Sequence, residues 1–248
     1  MKVILVTGLS GSGKTTFIRT LIPFLARFGP VGTVKHTGHH SMELPTGKDT
    51  TVMFGAGAAA VAGIDSEKTL ITLGSTSLAE ALDILAGRGI VTAIVEGYKS
   101  SPLPKIVIGD IDLEGCILRN PDPADVIRCL DKFHDYVTIG EILRELGANC
   151  RAETGSVTLA ASATPLSFGS EGVALSALER ALPRIAEAVK DLPGVIGVRA
   201  AIQHGTFFGR SDELLIAIAA GKGEAAASAL EAAFSRCREE LAARGTPL

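Results

Sequence analysis

The octet GLSGSGKT places Gly8, Gly13, Lys14 and Thr15 at the fixed positions of G-x-x-x-x-G-K-[ST], directly after the aliphatic run VILV. Such spacing suits anion binding. Glycines let backbone N–H groups converge on an anion, and a helix starting at the lysine adds its unpaired amides and the positive end of its dipole. Gly8, Ser10, Gly11, Ser12, Gly13, Lys14, Thr15 and Thr16 are therefore the candidate nucleotide-binding residues. Lys14 is expected to reach the β- and γ-phosphates, and the Thr15 hydroxyl to be a ligand of a bridging Mg²⁺. An ordinary strand-to-helix turn needs one or two glycines, but not a lysine and a hydroxyl at set offsets.

A phosphate loop needs an acidic residue beside it for the metal and its water shell. Glu96 in AIVEGYK follows a hydrophobic run and precedes Gly97, so it is expected to emerge at the carboxyl edge of the sheet. Asp49 in TGKDT suits either a Mg²⁺-contacting switch residue or a charge at a helix N-terminus. Thr15, Asp49 and Glu96 form the candidate metal set, and Lys14 and Glu96 are the only side chains here suggested for catalysis. HTGHH offers His36, His39 and His40, which would share a face of a helix and invite zinc. Gly38 and the preceding strand favour a solvated or nucleotide-flanking loop instead, and no protein-bound metal is expected there. In RNPDP, Asn120 and Asp122 could read a guanine edge, although a proline-rich turn accounts for them more simply.

These residues need elements to hold them. Val3–Val6 lacks polar alternation and reads as a strand buried on both faces, followed by a helix over Thr16–Arg27 and a strand in VGTVKH. A helix is expected after Gly47, running through Asp49 and Val52 towards AGAAAVAG, then a short strand in LITL and a helix over Leu78–Ala86. IVTAIVEG and KIVIGDI complete a mostly parallel sheet of the P-loop NTPase kind. After one short amphipathic helix in VTIGEILRELGANC the composition changes, which gives domains at 1–147 and 152–248. The second, smaller domain reads as α/β or α+β. It has strands in GSVTLAASAT, GVIGVRAAIQHG and ELLIAIAAG, a proline-containing helix between the first two, and a closing helix in EAAASALEAAFSRCREELAARG.

With 248 residues, 46% of them hydrophobic, and a mean hydropathy of +0.33, the chain can bury a sizeable core. A formal net charge of -3 without a basic cluster offers nothing to nucleic acid. No apolar run approaches the roughly 20 residues that span a bilayer, and the N-terminal run leads into the loop rather than a cleavage site, so a cytoplasmic protein off the membrane is expected. Cys116, Cys129, Cys150 and Cys237 are widely spaced and read as reduced, packed thiols.

Taken in order, GLSGSGKTT, VKHTGHH, GKDT, the AGA of FGAGAAAV and VEGYKSSPLPKI resemble the molybdopterin-guanine dinucleotide biosynthesis adaptor protein B family, over residues 1 to about 147. The resemblance implies a GTP- and Mg²⁺-binding homodimer, at most a slow GTPase, that assists the nucleotidyltransferase attaching GMP to molybdopterin. It carries Lys14, Thr15 and Thr16 over as phosphate and metal contacts, with Asp49 and Glu96 as acids on the metal side. Where the family has acidic residues and a Pro-Gly pair before GKD, this chain has SMELPTGKD. The second half resembles a shortened large subunit of molybdopterin synthase, with His204 answering to part of that family's first His-Arg pair. Gly221 and Lys222 stand where the family has its second pair. The converging cations of sulfur transfer are largely missing, so this domain is expected to bind or assemble, with molybdopterin, its nucleotidyltransferase or the small synthase subunit as partner. A small-molecule kinase and a bifunctional synthase remain the alternative readings.

Overall fold

The computed structural model describes residues 1–38, 42, 44–75, 77–151, 157–166 and 172–243. Its first unit runs β1 (Lys2–Gly8), α1 (Lys14–Leu25), β2 (Val31–Lys35), α2 (Asp49–Gly55), β3 (Ala60–Ile64), β4 (Thr69–Leu73), α3 (Leu78–Gly87), β5 (Thr92–Glu96), β6 (Lys105–Ile108), β7 (Cys116–Arg119), α4 (Pro123–Arg128) and β8 (His134–Asp135). The strands β2-β5-β1-β6-β7 lie side by side and parallel, and β8 pairs antiparallel with the start of β1.

β1 shows why its sequence lacks alternation. Ile4 and Val6 pack with Ile18, Leu21 and Leu25 of α1 and Val126 of α4, while Val3 and Leu5 pack with Leu78, Ala79, Leu82 and Ala86 of α3. Both faces are dry, so both sets of side chains must be apolar. The α/β class expected from the sequence is the one found, with a mostly parallel sheet covered by helices.

Two stretches depart from the sequence reading. Helix α2 ends at Gly55, and AVAGI forms strand β3 of a hairpin with TLITL rather than prolonging the helix. Gly57 at φ 105° turns the chain out of the helix, after which Val61 and Ile64 favour extended pairing. The two-residue β8 carries no periodicity of its own, and its pairing with Lys2 and Val3 is a tertiary effect.

The second unit contains α5 (Ile139–Arg151), β9 (Thr158–Leu166), α6 (Gly172–Lys190), β10 (Val195–Gln203), β11 (Asp212–Ala220) and α7 (Gly223–Ala242). Its sheet order is β10-β11-β9, with β11 antiparallel to both neighbours. β9 and β10 therefore run the same way around an inserted strand, a split βαβ arrangement. Leu214, Ile216 and Ile218 of β11 face α6 and α7, whereas Leu215, Ala217 and Ala219 face Ile142, Leu146 and Cys150 of α5. Helix α5 also reaches back to the first unit, since the Arg144 guanidinium donates to the Ala86 carbonyl at 2.8 Å and Glu141 meets the amino group of Met1 at 2.8 Å. No helix among the described residues is long and apolar enough to cross a membrane.

Candidate functional site

At the carboxyl edge of the parallel sheet, β1, β2 and β5 each end in a loop, and the three loops enclose a cavity of about 970 Å³. β1 delivers the glycine-rich loop. Gly13 takes φ 91° immediately before α1, a left-handed geometry that L side chains resist, and it opens the helix N-terminus towards the cavity. Gly8 is held for a different reason. A Cβ there would lie 2.1 Å from the Ile108 carbonyl oxygen, so only glycine lets the loop pass this close to the end of β6.

The Lys14 ammonium donates to the carbonyls of Leu9 at 2.6 Å and Gly8 at 3.4 Å, folding over the loop it belongs to. Across the cavity, the Thr15 hydroxyl donates to the Glu96 carboxylate at 3.2 Å from Oε2, and Lys35 approaches the same carboxylate at 3.8 Å. A hydroxyl oxygen and carboxylate oxygens in contact make a hard, all-oxygen donor pair of the kind Mg²⁺ accepts. Lys14, Lys35 and Lys99 line the cavity against one acid, Glu96, so its field favours a polyanion.

Gly8, Ser10, Gly11, Gly13, Lys14, Thr15, Thr16 and Glu96 all line this cavity. Ser12 sits beneath the loop, and its hydroxyl is buried without a hydrogen-bond partner among the described residues. Asp49 lies elsewhere, exposed at the first turn of α2 and outside the cavity lining. Asn120 and Asp122 serve the local turn. The Asn120 carbonyl oxygen accepts from the Gly109 N–H at 2.7 Å, and the Asp122 N–H donates to Asp125 at the start of α4. His36 lines the cavity, whereas His39 and His40 lie outside the described residues.

The stacking of His36 on Tyr98 and the role of Lys105 were not assigned from sequence. His36, at the end of β2, stacks on Tyr98, just after β5, with ring centroids 4.2 Å apart, and Tyr98 adopts φ 45°, unusual for an aromatic residue. Lys105 is buried and donates to the carbonyls of Lys99 and Ser101, pinning the loop that follows Tyr98, and burial lowers its pKa. The signal for His36 and Tyr98 was positional, because ligands in open α/β sheets bind beyond the carboxyl ends of the strands.

Residues 3–123 match the family of molybdopterin guanine dinucleotide synthesis protein B. This MobB-like segment contains the whole cavity lining and stops before α5 and the second sheet. The molybdopterin-guanine dinucleotide biosynthesis adapter protein of Haemophilus influenzae is 39% identical over 109 residues, which is 42% of this chain and 60% of that protein. The Escherichia coli protein of the same name is 37% identical over 107 residues, 40% of this chain and 60% of that one. This chain thus spans 60% of the length of each of these curated relatives. The crystal structure of Bacillus subtilis MobB aligns with 54% of this chain and 99% of its own, at 23% identity and a TM-score of 0.43.

Proposed function

We propose that the MobB-like segment binds GTP with Mg²⁺ and that the chain works as an adaptor in molybdenum cofactor biosynthesis, assisting a nucleotidyltransferase that attaches GMP to molybdopterin. The observation that carries the binding reading is the meeting of the Thr15 hydroxyl and the Glu96 carboxylate across a lysine-lined cradle at the start of α1. Phosphates in this cradle would take the loop amides and the Lys14 ammonium, and Thr15 and Glu96 would hold Mg²⁺, which would supply charge neutralisation for the phosphates. The names of the Haemophilus and Escherichia relatives support the pathway. In this reading the second unit, a remnant of the large synthase subunit's architecture, presents the segment to a pathway partner and two chains associate.

Calorimetric titration of the full chain with GTP and ATP, each with Mg²⁺ and with a chelator, tests the binding. Saturable, Mg²⁺-strengthened GTP binding is expected, and Lys14→Ala should lower affinity about 10- to 150-fold by removing one charge-assisted phosphate contact. The variant should keep the wild-type unfolding midpoint, since among the described residues Lys14 bonds to carbonyls of its own loop. Absence of binding by the wild-type chain, or equal affinity in Lys14→Ala, overturns the assignment.

A further inference from the structure

Gly97, Tyr98, Lys99 and Ser100 form one wall of the nucleotide cavity, and that wall is strained. Tyr98 sits at φ 45°, in the left-handed region that L side chains disfavour, and a residue stays there only where its surroundings over-determine it. Three sets of contacts do so. His36 stacks on the ring, and the buried Lys105 ammonium bonds the carbonyls of Lys99 and Ser101 on either side of Ser100. The third is apolar. Tyr98 packs against a core cluster that holds Leu103, at the end of the same loop, together with Leu78, Tyr136 and Phe208. Of these, Phe208 comes from the turn between β10 and β11, beyond the MobB-like segment.

That turn has the stiffness of a wedge. A Cβ on Gly205 would come within 1.9 Å of the Ser211 carbonyl oxygen, so the two ends of the turn are in close contact. Thr206 donates both its N–H and its hydroxyl to the Asp212 carboxylate at 2.9 Å, and the Arg210 N–H donates to the Gly205 carbonyl at 3.0 Å. A backbone tied in this way has few alternative conformations to relax into. At its tip Phe208 is 3% exposed and lies edge-on to Tyr136 with ring centroids 4.9 Å apart, while Arg210 fastens the turn to α3 through Asp83 at 2.8 Å.

We propose that the second unit braces the nucleotide site, with Phe208 as a positioning residue that keeps the loop of residues 97–103, and Tyr98 in its strained geometry, against the cavity. Nucleotide affinity then depends on a side chain outside the MobB-like segment. The hold on the loop follows from packing, and its effect on affinity rests on the nucleotide reading. Without Phe208, Tyr98 relaxes towards extended backbone and carries Lys99 and Ser100 away from the ligand. Tyr98 is thus the two-state element between the units, and the coupling is reciprocal, so bound nucleotide steadies the turn in return.

Two quantities test this on the full chain: GTP affinity with Mg²⁺ by calorimetry, and hydrogen exchange by NMR of the Ser101 amide, which donates to the Tyr98 carbonyl at 3.0 Å. Phe208→Ala should lower the affinity about 5-fold or more and speed the exchange, and Phe208→Leu should restore most of both. Ile218→Ala, a void in the core between β11 and the helices α6 and α7, should change neither. Urea unfolding verifies that each variant is folded, and Phe208→Val, with its smaller void, takes the place of Phe208→Ala if the latter is not. Wild-type values of either quantity in the Phe208 variant, or equal changes in Ile218→Ala, overturn the brace. If wild type binds no GTP while Ser101 exchange still quickens in Phe208→Ala, the nucleotide reading falls and the hold of Phe208 on the loop stands.

Discussion

Glu96 is the residue on which the metal reading turns. Its carboxylate accepts from Thr15 and faces Lys35, with its side chain only 13% exposed, so it is held in place before any cation arrives. Replacement by glutamine keeps the size and an acceptor oxygen but removes the charge. In Glu96→Gln, GTP affinity measured with Mg²⁺ should therefore fall towards the value measured with chelator, while affinity in chelator stays near wild type. Calorimetry under both conditions reads this, and an unchanged Mg²⁺ increment would move the metal ligand elsewhere. At this scale the sequence was informative wherever function demands fixed spacing. Glycine, lysine and threonine in the loop are constrained by their neighbours, and the cavity lining contains all of them. Asp49 was ambiguous because an acid at a helix start satisfies the dipole and a metal equally well, and only tertiary placement separates the two. His36 was legible as part of a loop flanking the nucleotide, but its stacking on Tyr98 was not, because a pair formed from two strand ends leaves no spacing to read.

Among the elements, α5 lies at the point where composition changes. Its apolar face, with Ile142, Leu146 and Cys150, is buried against Leu215, Ala217 and Ala219 of β11, yet its other side bonds Ala86 and the chain's amino terminus. Contact with β10 is close enough that a Cβ on Gly197 would come within 2.9 Å of Leu146 Cδ1. Shortening Leu146 to alanine opens a void between helix and sheet, for which the expected loss is about 2–5 kcal/mol of unfolding free energy. Urea unfolding by circular dichroism measures it, and a loss below about 1 kcal/mol would mean that α5 is only loosely docked. Sequence alone revealed the amphipathic helix but not its partner, because one apolar face fits either unit. The same limit explains β3, where small residues suit helix and strand alike until Gly57 and the pairing with β4 decide between them.

For the whole molecule, the decisive feature is the seam where β8 and the turn between β10 and β11 meet. Phe208 joins the core of the first unit, Tyr136 donates to Asp83 at 2.8 Å, and Arg210 bonds the same carboxylate at 2.8 Å, so residues from both units share one network. His134 lies in this seam, its ring edge-on to Phe207 at 4.4 Å and to His204 at 5.6 Å, and its Nε2 is buried without a partner among the described residues. Burial foremost, then the charge of His204 when protonated and that of Lys2, holds its pKa below the usual 6.5, against the opposing pull of Asp135 and Glu179. A base with a depressed folded-state pKa binds its proton more readily in the unfolded chain, so lowering the pH favours unfolding. Stability contributed by neutral His134 is thus complete above pH 6.5 and is lost as pH falls from there through the folded pKa. His134→Phe keeps an aromatic ring against Phe207 and cannot take up a proton. Urea midpoints compared at about pH 7.5 and about pH 5.5 should fall less in the variant than in wild type. An equal fall in both would transfer the acid sensitivity to other groups, and the seam would then hold its two units together without regard to this imidazole.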